Sequence, residues 1–394
     1  MILIVLTSKI TTSCSFRSLN KIICAINLYL NIEYAAPSYT SAMLWIKKIG
    51  YYQLESEKEK ADDWIIIVDE SIGIGQEKVL VVLAIRECKI DFTRPIRIQD
   101  MTPVIVKSRE KWKSEDISKE LKVAKMRLGN IKYAVTDGCC TLKKGLKEAS
   151  IIHIYDVTHG IAVYLERIYK NDSKFKYFMS QSGLMRSKLY NSKMAYLIPP
   201  NQRSKSRFLN LDIISKWSVK ALRTFNKNEI SVEESAALAW VKEYDSFIVE
   251  ISELISIIEE ISVLLKNNGL NKKTISKCKE ILKHCKHGKL KEFKGYFMDY
   301  LKVNGVHLNR KTKSLMCCSD IIESTFGKYK NELGKNSMSG ITDLVLIIPA
   351  LTAELNSEKV IAAIDSCTVK HIEKWKKENL CNSLISRRNK VFSI

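Results

Sequence analysis

Three acidic residues stand at positions where a carboxylate could do chemistry. Asp69 closes the apolar run WIIIVD at 64–69, and Asp137 closes the run IKYAVTD at 131–137. Glu323 lies one turn into the amphipathic stretch SDIIESTFGKYKNEL. A carboxylate beside a core costs several kcal/mol unless something pairs with it. The placement of Asp69 therefore predicts a cationic partner or a metal ion.

Three carboxylates of this kind can bind divalent cations. Two ions held about 3.5–4 Å apart by shared carboxylates suit an in-line phosphoryl displacement. Metal binding would relieve the repulsion among the acids. We therefore expect Asp69, Asp137 and Glu323 to be catalytic residues that hold two Mg²⁺ or Mn²⁺ ions.

Each acid also has a structural interpretation. Asp69 could be a turn aspartate between two strands of a hairpin, and Asp137 could cap the helix that follows it. Asp156 also ends a predicted strand and is a rival to Asp137. Asp320 is the rival to Glu323, because acids near the start of a helix interact favourably with the helix dipole.

The elements around these acids are predicted from hydrophobic periodicity. Strands are expected at 64–69, 78–87 and 103–107, followed by the helix SEDISKELKVAKMRL. A strand ending at Asp137, a helix and the strand in SIIHIYDVTHG complete the order β-β-β-α-β-α-β. This order resembles the ribonuclease H-like arrangement, in which the first and fourth strands are neighbours. Asp69 and Asp137 would then meet.

The pattern from about 160 to 318 is almost wholly helical and predicts an insertion. The expected fold class is α/β, a ribonuclease H-like mixed five-stranded sheet interrupted by a large all-α insertion, with a small helical N-terminal segment. We expect four parts: an N-terminal DNA-binding segment at 1–60, the first part of the core at 61–160, the insertion at 161–318, and the final core helices with a basic tail at 319–394.

The N-terminal segment gives a weaker pattern. Residues 1–30 have no clean period and are assigned no structure. A short basic helix is predicted from Ser38 or Thr40 to a stop at Gly50. With Lys47 and Lys48 exposed to DNA it could be the recognition helix of a helix-turn-helix, or it could be only a packing helix.

Charge and composition narrow the class of partner. The chain has 64 Lys and Arg against 43 Asp and Glu, a formal net charge of +21, and a pI near 9.4. Such a chain is drawn to polyanions, with nucleic acid first among them. The apolar run MILIVL is too short to span a membrane. The eleven scattered cysteines do not suggest a disulfide framework, so we expect a reduced, cytoplasmic protein.

Several motifs together resemble a bacterial insertion-sequence transposase of the DDE type. They are WIIIVDESIGIG, AVTDGCCTLKKGL, IYDVTHGIAVYLE, LIPPNQRSKSRFLNL and SDIIESTFGKYK, within about 36–390. The resemblance implies a magnesium-dependent enzyme that cuts and joins transposon ends. Its implied partners are double-stranded DNA, as terminal inverted repeats and target, and a second copy of the chain. It implies a nucleoid-associated bacterial protein.

The resemblance also implies roles for particular residues. It assigns the three catalytic acids to Asp69, Asp137 and Glu323, and Lys330 stands at the offset of a lysine that some relatives place seven residues after the glutamate. Met316 and Ser319 stand where those relatives have Tyr and Arg. Lys328 is expected to contact DNA beside Lys330.

Two further segments are candidates for DNA contact. Asp156 and His159 in YDVTH match a family feature, so His159 could orient a phosphate, or the pair could simply cap the next helix. The loop PPNQRSKSRF could contact phosphate or lie solvated; its candidates are Arg203, Lys205 and Arg207.

Three alternatives stay open. A zinc site at Cys278, His284, Cys285 and His287 is disfavoured, because zinc sites prefer shorter cysteine spacing and a second pair at a defined distance. A decayed transposase that only binds DNA would explain the weak N-terminal pattern. A ribonuclease H-type nuclease would explain the acids equally well, although it would not explain the long helical insertion.

Overall fold

The computed structural model describes residues 1–72, 77–201, 208, 210–227, 229–309, 312–333, 340–382 and 384–392. Its contacts divide the chain into two units. The first unit comprises Met1–Asp91, Pro95–Ile154 and Ser319–Ile394, and the second comprises Phe92–Arg94 and Tyr155–Cys318. The N-terminal segment thus belongs to the unit that carries the main sheet. The four-part division of the chain stays a prediction.

A five-stranded mixed sheet organises the first unit. Its strands are β1 (Ala61–Ile72), β2 (Lys78–Arg86), β3 (Thr102–Arg109), β4 (Gly129–Thr136) and β5 (Ile152–Tyr155). They lie in the order β3-β2-β1-β4-β5. β1 pairs antiparallel with β2, β2 antiparallel with β3, and β1 parallel with β4. The predicted ribonuclease H-like sheet is confirmed.

Helices precede, separate and follow these strands along the chain. Those before the insertion are α1 (Ile2–Thr11), α2 (Phe16–Tyr29), α3 (Tyr39–Glu55), α4 (Ser114–Leu128) and α5 (Cys140–Glu148). The second unit contains α6 (Val157–Tyr169), α7 (Ser173–Leu189), α8 (Leu211–Lys227), α9 (Val232–Lys242), α10 (Asp245–Asn268), α11 (Lys272–Ile281) and α12 (Gly288–Gly305), with a short pair β6 (Leu270–Asn271) and β7 (Ser314–Leu315). The first unit resumes with α13 (Asp320–Glu332), α14 (Ile347–Ala350), α15 (Ser357–Ser366), α16 (Val369–Asn379) and α17 (Leu384–Phe392).

Strand β2 is buried on both of its faces. Every residue from Val79 to Ile85 on β2 is buried, which is typical of a strand covered on both sides. On one face Ile66 and Val68 belong to a core shared with α4 and α5, through Ile117 and Leu142. Each such side chain contributes about 1.5–3 kcal/mol when fully buried. This packing fixes the ends of β1 and β4.

Helix α3 is longer than predicted, and the stop predicted at Gly50 is wrong. Ser38 caps its start by accepting from the Ser41 N–H at 3.1 Å, and the helix continues to Glu55. A Cβ on Gly50 would lie 1.9 Å from the carbonyl oxygen of Leu346. Gly50 is therefore needed for a close backbone approach inside the helix, and it does not end the helix.

The first 30 residues, which have no clean hydrophobic period, contain the two helices α1 and α2. Ser15 caps α2 by accepting from the Ser18 N–H at 3.1 Å, and Phe16 and Leu19 are buried. Lys9 is 3% exposed and donates to Glu332 Oε1 at 2.6 Å. A contact with a residue so distant in the sequence ties this segment to the final core helices.

The second unit has its own core of aromatic side chains. The rings of Phe178 and Phe247 have centroids 5.2 Å apart, and those of Phe178 and Trp240 are 5.6 Å apart. The ring of Phe175 belongs to the same group, with its centroid 5.1 Å from that of Tyr169.

The described part of the chain contains no helix with the length and apolar character needed to cross a membrane.

Candidate active site

The register between β1 and β4 brings two of the predicted acids to matching positions. Ile67 on β1 pairs with Val135 on β4. Asp69 and Asp137 each follow two residues later, just past this last pair of the parallel ladder. The strand end predicted at Asp69 is wrong, because β1 continues to Ile72 and Asp69 pairs with Val81 of β2, so it is not a turn residue; Asp137 directly follows the end of β4. Because side chains alternate along a strand, both acids belong to the sheet face of Ile67 and Val135.

The backbone around each acid fixes its carboxylate. Asp69 Oδ1 accepts the Glu70 N–H at 2.7 Å, and Asp137 Oδ1 accepts the Cys139 N–H at 2.9 Å. Gly138, which stands between Asp137 and Cys139, has φ +77°, in the left-handed region that glycine adopts without strain. An ionised carboxylate has about four acceptor sites, so one backbone hydrogen bond does not by itself occupy them all.

The third predicted acid lies on a helix that contacts the same strand. α13 packs against β1, with Ile322 and Phe326 buried and Glu323 exposed in its first turn. Within the described residues, Asp69, Asp137 and Glu323 are not a set whose ligand atoms all lie within 4.8 Å of one another. The helix is thus placed against the correct strand, while the convergence of all three carboxylates stays a prediction.

An ion pair that we did not predict lies at the same end of the sheet. Lys78 Nζ is 2.8 Å from Glu70 Oε2, and the Glu70 side chain is only 8% exposed. The hydrogen bond that Lys78 donates to Glu70 raises the pKa of Lys78 against the lowering effect of burial, and electrostatic interaction with Glu70, Cys139 and Asp137 raises it further. Glu70 follows Asp69 directly in the sequence, and this adjacency is the feature from which Glu70 could have been predicted to lie near the site.

Asp156, the rival to Asp137, has a structural role in the second unit. It is fully buried and caps α6, because its Oδ1 accepts the His159 N–H at 2.8 Å. The capping interpretation is therefore confirmed. A carboxylate oxygen of Asp156 also lies within 4.8 Å of the sulfur of Cys318. The DNA role of the His159 ring stays a prediction.

The predicted DNA-contacting lysines have different environments. Lys47 Nζ lies 2.9 Å from Asp343 Oδ2, and Lys48 Nζ donates to the Ile364 carbonyl at 2.7 Å. Since α3 packs against α14 and α15, these contacts favour the packing interpretation of that helix. Lys328 and Lys330 are exposed on α13. The loop candidates lie outside the described residues: Arg203, Lys205 and Arg207.

The disfavoured zinc cluster gains no support from the structure. Cys278 and Cys285 are buried, and burial raises the pKa of the Cys278 thiol to about 12. A thiol with a raised pKa is a poorer metal ligand, because metals bind the thiolate. Among the described residues, these cysteines do not form a metal-ligand group with His284 and His287.

Comparisons with known proteins add one finding. The sequence matches no protein-family profile and no curated protein. Among solved structures, the chain is similar to the Drosophila P element transposase strand transfer complex, with 12% identity, a TM-score of 0.46, and coverage of 90% of this chain and 92% of that chain. At that identity and TM-score, the similarity carries no weight for activity.

Proposed function

We propose that this protein is a DNA transposase that cleaves and joins DNA strands at insertion-sequence ends by two-metal phosphoryl transfer. The observation that carries the proposal is the pairing of β1 with β4. Asp69 and Asp137 each lie two residues beyond Ile67 and Val135, the last residues paired between these adjacent strands of a ribonuclease H-like sheet. The net charge of +21 supports a DNA partner.

The residues present fit divalent metal ions of the hard type. Carboxylate oxygens are the ligands that Mg²⁺ and Mn²⁺ prefer, and Asp69, Asp137 and Glu323 would hold two ions. Ions about 3.5–4 Å apart span more than one coordination sphere, so their ligands need not all lie within reach of a single point. When bound, such ions supply an activated water and stabilise the leaving oxygen.

The protein's own contribution is orientation. The Glu70 and Cys139 N–H groups hold one oxygen of Asp69 and of Asp137, so both carboxylates are oriented before DNA arrives. A water then attacks the phosphodiester at the element end, and the bond from phosphorus to the 3′ oxygen breaks. The freed 3′-hydroxyl attacks a target phosphodiester in the same way, so each new phosphorus–oxygen bond replaces one that breaks.

Transposition requires two element ends to be held together, so the proposed working form is a homodimer on DNA. A ribonuclease H-type nuclease would use the same acids. The two activities differ in substrate, because a transposase requires specific terminal repeats whereas such a nuclease recognises the shape of a hybrid or branch. Substrate choice therefore separates them.

The test uses the purified full chain with Mg²⁺ or Mn²⁺ and the DNA that flanks its own gene. We expect cleavage at the inverted repeats by the wild type and by Asp63→Asn, and none by Asp137→Asn. Asp63 is the matched control because it lies on the same strand, at the opposite end. DNA binding without cleavage by any variant would overturn the enzymatic proposal in favour of a decayed DNA-binding protein.

A further inference from the structure

Helix α2 exposes a row of large apolar side chains. Ile22, Ile26 and Tyr29 recur at steps of four and three residues, so they lie on one face of the helix. Leu30, at the carboxyl end of α2, extends the row. The exposed fractions are 46% for Ile22, 45% for Ile26, 87% for Tyr29 and 58% for Leu30. We call these four residues the α2 stripe.

The α2 stripe is separate from the face by which the helix packs into its own unit. α2 contacts α1 and α3, and its buried face includes Phe16, Leu19 and Ile23. At 3.6 residues per turn, the stripe is centred about 100° around the helix axis from that face. α2 is therefore apolar on two faces, and one of them is open to solvent.

The area of the α2 stripe is large enough for a protein interface. Large apolar side chains have about 200 Å² of surface each, so the stripe exposes roughly 500 Å². Contiguous apolar patches larger than a few hundred Å² mark interaction sites on soluble proteins. A standard interface buries about 800 Å² per partner, of which about 65% is apolar in homodimers. The stripe thus supplies the apolar share of one side of a homodimer.

The charges along α2 suit a second copy that runs antiparallel. The cations Arg17 and Lys21 lie in the amino half of α2, its last turn has no basic residue, and Glu33 follows the helix. Lys21 and Glu33 are both exposed. Lys21 precedes Ile26 by about 7.5 Å along the axis, so a two-fold axis at Ile26 would place it beside the carboxyl end of the partner helix. Cations stabilise that end of a helix through its dipole.

We propose that the α2 stripe is a homodimer interface, in which two copies of this chain pair through antiparallel α2 helices about a two-fold axis at Ile26. Ile26 then faces the same residue of the partner, and Ile22 faces the partner's Tyr29 and Leu30. Lys21 pairs with the partner's Glu33. The inference deepens the proposed function, on which the need for a dimer rests, by naming the surface that forms it.

The first experiment measures the dimer Kd of the purified full chain by sedimentation equilibrium, without DNA or metal. Wild type should be a dimer, and Ile26→Glu should raise Kd by at least about a hundredfold, because two like charges would meet in a desolvated contact. Leu28→Glu is the matched control. Leu28 is 82% exposed on the same helix, but it lies about 200° around the axis from Ile26, so this variant should keep the wild-type Kd.

The second experiment tests the antiparallel orientation by charge reversal. Lys21→Glu and Glu33→Lys should each raise Kd by about three- to tenfold, because each brings like charges together in both symmetric contacts. The double variant Lys21→Glu/Glu33→Lys should return to the wild-type Kd. Losses that simply add in the double variant would overturn the antiparallel pairing.

The other outcomes are equally decisive. A monomeric wild type, or a dimer that Ile26→Glu leaves as intact as Leu28→Glu does, would overturn the interface. A monomer that sediments with vesicles of equal parts phosphatidylglycerol and phosphatidylcholine, and loses this binding in Ile26→Glu, would assign the stripe to a membrane surface instead.

The interface and the proposed function fail separately. The sedimentation measurements contain no DNA, so a chain that dimerises as expected and does not cleave DNA would overturn the transposase proposal alone. Thermal melting of each variant shows whether it is folded. If Ile26→Glu does not fold, the charge-reversal series still decides.

Discussion

The acidic residues near the two ends of β1 have different hydrogen-bond donors. At the amino end, Asp63 Oδ1 accepts from Arg86 Nε, and the Cys88 N–H donates to Asp63 Oδ2 at 3.1 Å. Arg86 also pairs with Glu59 and lies 5.6 Å from the centre of the Trp64 ring. At the carboxyl end, the hydrogen bonds described for Asp69 and Asp137 come from backbone N–H groups, and the nearby cation Lys78 pairs with Glu70.

The difference shows how one strand can carry both structural and reactive acids. Burial raises the pKa of Asp63, but the hydrogen bonds from Cys88 and Arg86 lower it by more, so the pKa lies below its ordinary value. The Arg86 side chain and the Cys88 N–H therefore supply the hydrogen-bond donors for the Asp63 carboxylate. Toward the carboxyl end, a backbone N–H orients one oxygen each of Asp69 and Asp137.

The largest expected effect is on catalysis at the carboxyl end. Asp137→Asn should lower the rate of DNA cleavage by at least about a hundredfold, since a lost metal ligand costs several kcal/mol of transition-state stabilisation. Its melting temperature should equal or exceed that of the wild type, because the substitution removes carboxylate repulsion. Single-turnover cleavage and thermal melting check both parts, and a rate within threefold of wild type would contradict the assignment.

A second effect concerns α3, which leads into the amino end. Gly50→Ala should destabilise the first unit by about 1–3 kcal/mol, because its Cβ would overlap the Leu346 carbonyl and the backbones would have to separate. Urea denaturation measures the change, and Gly183→Ala is the control, since a Cβ there meets nothing within 4 Å. Equal stability of the two variants would show that Gly50 does not lie against the Leu346 carbonyl.

A smaller effect tests the amino end itself. Asp63→Asn should lower the melting temperature by several degrees, because Arg86 and the Cys88 N–H lose an ionised acceptor. Since Asp63 lies at the opposite end of β1 from Asp69, cleavage by the folded variant should match the wild type. If Asp63→Asn lost cleavage without losing stability, the assignment of Asp63 to a structural role would be wrong.

The smallest effect is a pH dependence near the amino end. Burial lowers the pKa of Lys58 to about 8, with Arg127 adding to the effect. Above that pH the folded protein binds fewer protons than the unfolded chain, so this residue makes stability rise until the ordinary lysine pKa is reached. Lys58→Met should be more stable than the wild type at pH 7, by on the order of 1 kcal/mol.

The advantage of Lys58→Met should shrink as pH rises from about 8 to about 10.5, the ordinary value for lysine. Denaturation curves of both proteins across this range measure it. A constant difference between wild type and variant would show that Lys58 does not titrate in this window.

The sheet could be predicted from the sequence because its signals are local. Continuous apolar runs that end in Asp69 and Asp137 marked β1 and β4, and the order of elements fixed their adjacency. The stop at Gly50 failed because the reason for that glycine is the Leu346 carbonyl, far along the chain. Lys9 and Glu332 are 323 residues apart, and no local pattern shows that they pair.

For the candidate site, the sequence predicted the strands that carry Asp69 and Asp137, and the role of these acids stays a prediction. β4 ends just before Asp137 as predicted, whereas β1 continues past Asp69 to Ile72. The Glu70–Lys78 pair depends on the register across a hairpin, which local sequence patterns do not reveal. The capping of α6 by Asp156 was among the predicted alternatives, because an Asp three residues before His159 at a strand end is a local signal. What was missed depends on register and long-range packing.

Binding of Mn²⁺, followed by electron paramagnetic resonance in the presence of duplex DNA, tests the central claim most directly. The experiment compares wild type with Asp137→Asn and Asp63→Asn, at opposite ends of the parallel pair of strands. We predict that wild type and Asp63→Asn bind Mn²⁺ alike and that Asp137→Asn loses this binding. Wild-type binding by Asp137→Asn would contradict a metal centre at the carboxyl ends of β1 and β4.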